Sequence, residues 1–171
     1  MLVGIGGVSR SGKSTLAHSL VNTLRAMDYQ AIVLNQDNYV KHSHLIPKIK
    51  DKIDWENPES IDLPLLLEVT AFYLSKFEIV ILDGFLVYHF DELNTLYDKK
   101  IFLEIDKDTF FERKRADRRW GPIPDWYIAY IWEAYEKFGQ IPEQWTGVLQ
   151  LSGENFSEFE KVVDYLDIKP K

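Results

Sequence analysis

The chain has 171 residues, 46% of them hydrophobic and 14% aromatic, which is typical of a globular protein and predicts one domain over residues 1–171. Its formal net charge of −7 argues against broad binding to nucleic acids or to membrane surfaces. The sequence has no cysteine, which excludes disulfides and cysteine–zinc sites, and no apolar run long enough to span a membrane. We therefore expect a cytoplasmic protein.

The first predicted strand, Leu2–Ile5, leads into residues 7–14, whose sequence GVSRSGKS fits the phosphate-binding pattern G-x-x-x-x-G-K-[ST] without a mismatch. Leucines at every fourth position then predict a helix. The glycines let backbone N–H groups turn inward around a phosphate, and the helix points its positive end at the same anion. The alternative is a glycine-rich turn that only joins the strand to the helix. We predict that this loop, the P-loop, binds a nucleoside triphosphate, with ATP and GTP both open as the donor.

Within the P-loop, two side chains have separate predicted tasks. Lys13 reaches the β- and γ-phosphates, and the Ser14 hydroxyl ligates Mg²⁺. The predicted cofactors are therefore ATP and Mg²⁺. The predicted nucleotide-binding residues are Gly7, Ser9, Ser11, Gly12, Lys13, Ser14 and Thr15.

Downstream of the P-loop, apolar runs alternate with helical patterns. A polar stretch from Tyr39 to about Pro58 is long for a connection and suggests a functional loop. Asp62 and Asp106 stand where helix N-caps are expected. The remaining predicted elements are a strand at Ala31–Leu34, a helix at about Asp62–Lys76, a strand at Glu78–Gly84, a short helix at Asp91–Tyr97, a strand at Lys100–Ile105, a helix from Asp106 to about Arg118, a turn at Trp120–Pro124, a helix at Trp126–Phe138, a strand at Val148–Leu151 and a helix at Phe156–Leu166.

This alternation predicts an α/β fold in three layers, with a parallel five-stranded sheet and helices on both of its faces. In such sheets, ligands bind at the carboxyl ends of the strands. The P-loop, Asp37 and Asp83 each follow a predicted strand end. We therefore expect these three features to meet in one crevice.

Two carboxylates in this crevice have predicted roles and stated alternatives. Asp83 ends an apolar strand and is placed to hold Mg²⁺, directly or through water; its alternative is a carboxylate that only terminates the strand. Asp37 is the candidate general base for an acceptor hydroxyl; its alternative is an Asx turn with Asn38.

Five basic residues lie between Arg113 and Arg119, at the end of a predicted helix and before a proline-containing turn. A lid at about residues 113–125 could carry arginines onto the triphosphate, where they would stabilise the charge of the transition state. A solvated helix face is the alternative for some of the five. We expect one or two to act, with Arg113 and Arg118 the preferred candidates.

The motifs exclude two classes of triphosphate-binding protein. The sequence lacks the Asn-Lys-x-Asp and Asp-x-x-Gly motifs of GTPases. Gly84 follows Asp83, where mechanical ATPases usually have a glutamate that activates water. A small-molecule kinase remains as the leading class.

The ordered set of motifs resembles the uridine kinase-like nucleoside kinases, and within them the nicotinamide riboside kinases most closely. The matching segments extend from Leu2 to about Phe138. They are IGGVSRSGKSTLA at residues 5–17, QDNY at 36–39, WENPESID at 55–62, LDGFL at 82–86 and the basic run at 113–119.

The resemblance implies roles for single residues. Asp37 would contact the ribose near its 5′-hydroxyl and act as the base, and Glu56 would bind the ribose hydroxyls. Trp55 would stack on one face of the nicotinamide ring and Trp120 on the other, with Asp125 near the carboxamide. Tyr39 completes the predicted substrate-binding set.

Some of these residues have alternative roles, and two positions differ from the residues usual in the family. Trp55 and Trp120 could serve packing alone, and Asp125 could be only a helix N-cap. Glu56 stands where the family has Asp, and Asp83 where nicotinamide riboside kinases commonly have Glu.

The resulting prediction is a kinase that transfers the γ-phosphoryl of ATP to a nucleoside 5′-hydroxyl, with a substrate-binding loop at about residues 38–60. Nicotinamide riboside is the preferred acceptor, because Trp55 is a good partner for its cationic ring. A uridine or cytidine kinase is the alternative enzyme. An ATP-binding regulatory module is the alternative without catalysis. The expected partner is the small-molecule nucleoside alone, neither nucleic acid nor membrane.

Overall fold

A five-stranded parallel sheet with helices on both faces forms the centre of the fold, as the sequence predicted. The structure, a computed structural model, describes residues 1–119, 121–154 and 158–171. Its strands and helices are β1 (Leu2–Gly7), α1 (Lys13–Ala26), β2 (Ala31–Asn35), β3 (Lys48–Ile49), β4 (Lys52–Ile53), α2 (Leu63–Leu74), β5 (Ile79–Asp83), α3 (Asp91–Asn94), β6 (Lys99–Glu104), α4 (Lys107–Ala116), α5 (Asp125–Phe138), β7 (Val148–Ser152) and α6 (Phe159–Leu166).

The strands of the main sheet follow the order β2-β5-β1-β6-β7, and all neighbouring pairs are parallel. β1 is therefore central, with β5 on one side and β6 on the other. In this register Ile5 lies opposite both Asp83 and Ile101. The carboxyl ends of all five strands consequently lie at one edge of the sheet, which is where ligands bind in such folds.

Successive residues of the central strands enter two different cores, because side chains along a strand alternate between the faces of the sheet. Val3 and Ile5 of β1 pack in the core beneath α1 and α6, whereas Leu2 packs in the core on the opposite face. That second core contains residues of α2, α4 and α5. Burial on both faces explains why these strands are continuous apolar runs rather than alternating patterns.

Several predicted boundaries are confirmed and others are corrected. Asp62 and Asp106 are N-caps, since their carboxylates accept hydrogen bonds from backbone N–H groups three residues later, at 3.2 and 2.7 Å. α4 ends at Ala116, before the predicted Arg118, and α3 is shorter than predicted. The predicted start of the last helix lies outside the described residues.

The stretch from Tyr39 to Pro58 is more ordered than its polar composition indicated. It contains a short 3₁₀ helix at Ser43–Leu45 and the two-stranded hairpin of β3 and β4. An isolated bridge between Val40 and Ile61 closes it at its base. Local hydrogen bonds thus give this loop a fixed path. No helix in the described ranges has the length and apolar character needed to cross a membrane.

Tyr88 fixes the segment after β5 against the central strand. Its hydroxyl lies within hydrogen-bonding distance of the carbonyls of Gly4 (2.7 Å) and Ile101 (2.9 Å), and accepts a hydrogen bond from the Ile101 N–H (3.0 Å). The ring packs directly on Gly6, where a Cβ would lie 2.5 Å from a ring carbon. The glycines of β1 before the P-loop therefore make room for this ring.

We expect Tyr88→Phe to lower the free energy of unfolding by about 1–3 kcal/mol, because the change leaves buried backbone groups without a partner. Urea denaturation of the two proteins measures the difference. Tyr29→Phe is the matched control, since the Tyr29 hydroxyl bonds the Lys169 carbonyl at an exposed position. A loss for Tyr88→Phe no larger than for the control would contradict the structural role.

Candidate active site

The P-loop leaves β1 through a turn that only glycine tolerates. Gly7 has φ +140°, and a Cβ there would lie 2.3 Å from the carbonyl oxygen of Leu103 in β6. Gly12 has φ +99° and precedes the first turn of α1, which has no side-chain cap. The N–H groups of that first turn lack partners within the helix and are available to an anion.

The side chain of Lys13, at the start of α1, folds back towards the beginning of the P-loop. Its Nζ donates a hydrogen bond to the Val8 carbonyl at 2.8 Å. Burial lowers the pKa of Lys13 to about 8, although Asp37, Asp83 and Glu56 act in the opposite direction. The ammonium group therefore lies in an enclosed site together with three carboxylates, where a bound triphosphate would favour its charged form.

Ser14 and Asp83 are direct neighbours, so the P-loop and Asp83 meet as the order of strands and motifs predicted. The Ser14 hydroxyl donates to Asp83 Oδ2 at 2.6 Å. Asp83 is 1% exposed, and its Oδ1 has no hydrogen-bond partner in the described part of the chain. Burial raises the pKa of this carboxyl, partly offset by the Ser14 hydrogen bond and Lys13.

This pair fits the oxygen chemistry of Mg²⁺. A hydroxyl and a carboxylate are the hard ligands that the ion prefers, and the free Oδ1 of Asp83 is a buried acceptor without a partner. Within residues 1–119, 121–154 and 158–171, no three His, Cys, Asp or Glu side chains form a metal cluster. Mg²⁺ is commonly held by one or two protein ligands and substrate phosphates, so two ligands are sufficient here.

Asp37 lies in the 3₁₀ helix Gln36–Asn38, directly after β2. The Asx turn there is made by Asn35, whose Oδ1 accepts the Asp37 N–H at 2.9 Å. The alternative role considered for Asp37 thus belongs to its neighbour, and the Asp37 side chain is exposed. Its charge affects the pKa values of Lys13, Glu56 and Asp83, which means that it faces the same crevice.

Glu56 lies on the side of the crevice that also holds Asp37 and Asp54. Burial raises its pKa to about 7, against the lowering effect of Lys114 and then of Lys13. Asp37 and Asp54 raise the pKa further through repulsion. The neighbouring Trp55 keeps 44% of its surface exposed, so the ring is available to a ligand.

Helix α5 supplies two tyrosines to this side, which the sequence analysis did not identify as site residues. The Tyr130 hydroxyl donates to Asp54 Oδ2 at 2.6 Å, and the rings of Tyr127 and Tyr130 are stacked with centroids 6.1 Å apart. Burial, with Glu56 and Asp54, raises the pKa of Tyr127. The i, i+3 spacing of these residues on a helix after the basic run was the available signal.

The basic run divides among different partners. Arg113 donates to the carbonyls of Arg10 (3.1 Å), Gly153 (2.8 Å) and Glu154 (3.3 Å), and so joins the P-loop to the loop after β7. Arg118 follows α4 and is exposed. The structure therefore places Arg113 against backbone carbonyls and Arg118 at the surface.

Asp117 is a buried carboxylate that holds two arginines. It forms a bidentate ion pair with Arg119, at 2.7 Å to Nη2, and lies 3.8 Å from Arg10 Nη1. These contacts hold the pKa of Asp117 well below its usual range, with the Arg119 hydrogen bond as the main cause. The segment after α4 is thereby fastened to the P-loop.

The structure does not show Asp125, Tyr39 or Trp120 in the substrate contacts that the sequence predicted for them. Asp125 is the first residue of α5, with Pro124 at the N-cap, and its 77% exposed side chain pairs with Arg115 at 3.2 Å. Tyr39 packs partly buried against the core that contains α2. Trp120 lies outside the described residues.

Sequence comparisons find kinases among the relatives. The chain is 24% identical over 200 residues to a uridine kinase from Lactobacillus helveticus (strain DPC 4571), covering 99% of this chain and 93% of that protein. It is 29% identical over 163 residues to nicotinamide riboside kinase 2 from Homo sapiens, covering 84% of this chain and 69% of that protein. No protein-family model matches the chain.

The fold is also similar to that of solved kinases. A structure described as a possible uridine kinase from Bacillus stearothermophilus has a TM-score of 0.55 to this one, with 18% sequence identity over 87% of this chain and 88% of that chain. At this identity the structural similarity concerns the fold alone. The similarity to nucleoside kinases comes from the sequence relatives. Together these similarities support a relation to the uridine kinase-like P-loop kinases.

Proposed function

We propose that this protein transfers the γ-phosphoryl group of ATP to the 5′-hydroxyl of a nucleoside, with nicotinamide riboside as the preferred acceptor. The kinase relatives indicate nucleoside kinase activity in general. The preference for one acceptor is our inference from the acceptor side of the crevice.

The donor side of the proposed reaction uses the P-loop. Its N–H groups would cradle the phosphates, and Lys13 would neutralise charge on the β- and γ-phosphates. Ser14 and Asp83 would hold Mg²⁺, which, when bound, neutralises phosphate charge. Fixed dipoles and charges aimed at the transferring group stabilise its transition state without reorganisation.

The proposed step is a direct displacement at phosphorus. The 5′-oxygen of the acceptor forms a bond to the γ-phosphorus, and the bond from this phosphorus to the β–γ bridging oxygen breaks. The bridging oxygen keeps the electron pair and leaves as part of ADP. The proton of the 5′-hydroxyl passes to the Asp37 carboxylate.

The observation that carries the acceptor preference is the combination of carboxylates with exposed aromatic surface. The charges of Asp37 and Asp54 raise the pKa of Glu56, so three acidic groups lie close together. The 44% exposed Trp55 ring lies next to Glu56 in the sequence. A cationic pyridinium ring gains from both features, because a cation–π contact is worth about 0.5–1 kcal/mol at an exposed site and about 2 kcal/mol or more when desolvated.

We expect kcat/KM for nicotinamide riboside to exceed that for uridine by about tenfold or more, since one desolvated cation–π contact of about 2 kcal/mol corresponds to about 30-fold. A panel of nucleosides with MgATP, followed by ADP formation and mass spectrometry of the product, measures the ratio. Preferential uridine phosphorylation would change only the acceptor. Slow ATP hydrolysis that is equal with every nucleoside would reject kinase activity and favour a regulatory module.

Asp37→Asn is expected to lower kcat by about 10²–10⁴-fold, because the amide cannot accept the hydroxyl proton. The affinity for ATP, measured by isothermal titration calorimetry, should stay within about threefold of the original, since Asp37 is placed on the acceptor side. Asp164→Asn, an exposed carboxylate on α6, is the control. Near-normal turnover of Asp37→Asn would remove the base assignment.

The affinity for nicotinamide riboside in the absence of ATP should increase with pH around the Glu56 pKa of about 7. The ionised carboxylate accepts ribose hydroxyls and attracts the cationic ring, whereas the protonated form does neither well. Lowering the pH from about 8 to about 6 should weaken binding by up to about tenfold, from titration of one group. Tryptophan fluorescence measures binding, and Glu56→Gln should flatten the pH profile. If the affinity of Glu56→Gln depends on pH as strongly as that of the original protein, a group other than Glu56 causes the dependence.

A further inference from the structure

A four-residue β-turn carries two of the predicted substrate contacts. The N–H of Asn57 donates a hydrogen bond to the carbonyl of Asp54 at 3.3 Å. Trp55 and Glu56 are therefore the two central residues of the turn. Their positions in the crevice depend on how this turn is held against the rest of the protein.

The first residue of the turn, Asp54, is a buried carboxylate anchored on α5. Only 5% of Asp54 is exposed, and its Oδ2 accepts a hydrogen bond from the Tyr130 hydroxyl at 2.6 Å. Among the residues that the structure describes, none bonds its Oδ1. An ionised carboxylate is unfavourable in a buried site unless hydrogen bonds compensate it. The Tyr130 hydroxyl is thus the side-chain contact that holds Asp54 in place.

Helix α5 is itself held in the core. Ile131 and Trp132, which follow Tyr130 in the helix, pack in the core that also contains residues of α2 and α4. One helical turn earlier, the Nζ of Lys50 lies 3.8 Å from the ring centroid of Trp126. This cation–π contact attaches the tip of the β3–β4 hairpin to the same helix. The loop before α2 therefore meets α5 at two levels, and only the Tyr130 contact ends on the turn.

Electrostatic repulsion within the turn makes this anchor necessary. The charge of Asp54 raises the pKa of Glu56, so the two carboxylates lie close enough to repel each other. A hydrogen bond from Tyr130 stabilises the ionised form of Asp54 and offsets this repulsion. Burial, together with the hydrogen bond to Asp54, raises the pKa of Tyr130, so the hydroxyl keeps the proton that it donates.

We propose that Tyr130 is a positioning residue for the acceptor, which acts by holding Asp54 and thereby the turn that carries Trp55 and Glu56. The inference rests on the proposed function, since it takes these two residues as acceptor contacts. Tyr130 itself needs no contact with the acceptor. Because its hydrogen bond ends on the turn and not on the P-loop, its loss should weaken acceptor binding and leave nucleotide binding unchanged.

The kinetic test uses Tyr130→Phe, which keeps the ring and removes the donor. We expect KM for the acceptor to rise at least about tenfold, the effect of one hydrogen bond to a charged group, and kcat to change less than about threefold. The affinity for Mg·AMPPNP should also stay within about threefold. Steady-state kinetics with nicotinamide riboside and with uridine, and isothermal titration calorimetry, measure these quantities. Tyr29→Phe, whose exposed hydroxyl bonds the Lys169 carbonyl, should alter none of them.

A double-mutant cycle tests whether Tyr130 acts through Asp54. Asp54→Leu replaces the carboxylate with an apolar side chain of similar size. In this background, Tyr130→Phe should raise KM by less than about threefold, because no buried charge is left without a donor. If circular dichroism shows that Tyr130→Phe is unfolded, Asp54→Leu removes the same hydrogen bond and replaces it in the kinetic and exchange measurements.

Hydrogen exchange tests the anchor without any ligand. In the free protein, the Asn57 N–H that closes the turn should exchange at least about tenfold faster in Tyr130→Phe, because the turn opens more often. Mass spectrometry of a peptide over residues 54–60 measures the rate. A peptide over β1, which has no contact with Tyr130 through this bond, is the internal control.

Four results would overturn the proposal: unchanged exchange at the turn, an unchanged KM, an equal loss of acceptor and AMPPNP affinity, or a full Tyr130→Phe effect in the Asp54→Leu background. The exchange measurement contains neither nucleotide nor nucleoside, so it does not depend on the proposed function. Faster exchange in Tyr130→Phe, in a protein that phosphorylates no nucleoside, would reject the proposed function and retain Tyr130 as the anchor of the turn.

Discussion

The parallel pairing of β1 with both β5 and β6 is the constraint on which the site depends. It sets Ile5 opposite Asp83 and Gly7 opposite Leu103. The chain can leave β1 at that level only through a glycine, because the Leu103 carbonyl occupies the space of a Cβ. The P-loop that follows then brings Ser14 within 2.6 Å of Asp83. The sheet register thus decides which polar groups can meet.

A second constraint is electrostatic. The crevice brings ammonium groups beside the P-loop close to carboxylates, and burial opposes the charge of Lys13 and Glu56. Burial consequently lowers the pKa of Lys13 to about 8 and raises that of Glu56 to about 7. Groups held in such a state gain most when a ligand supplies the opposite charge, as a triphosphate would for Lys13.

The short helix α4 contacts several other parts of the structure through its basic residues. Its basic residues are adjacent in the sequence, but the helical rotation of about 100° per residue turns them to different partners. Arg113 meets backbone carbonyls at the P-loop, Lys114 meets Ser9, and Arg115 meets Asp125. Asp117 then fastens the following segment through Arg119 and Arg10. The run is therefore a set of separate contacts rather than one charged patch.

The sequence by itself determined the sheet, its flanking helices, the P-loop and the convergence of the P-loop with Asp83 at one edge. These follow from local period, glycine positions and the rule that parallel strands end at one edge. Tertiary structure alone decided that Tyr127 and Tyr130 approach Asp54 and Glu56, and that Lys114 faces inward. Those contacts join segments far apart in the chain, and no local pattern specifies the rotation and distance at which two packed elements meet.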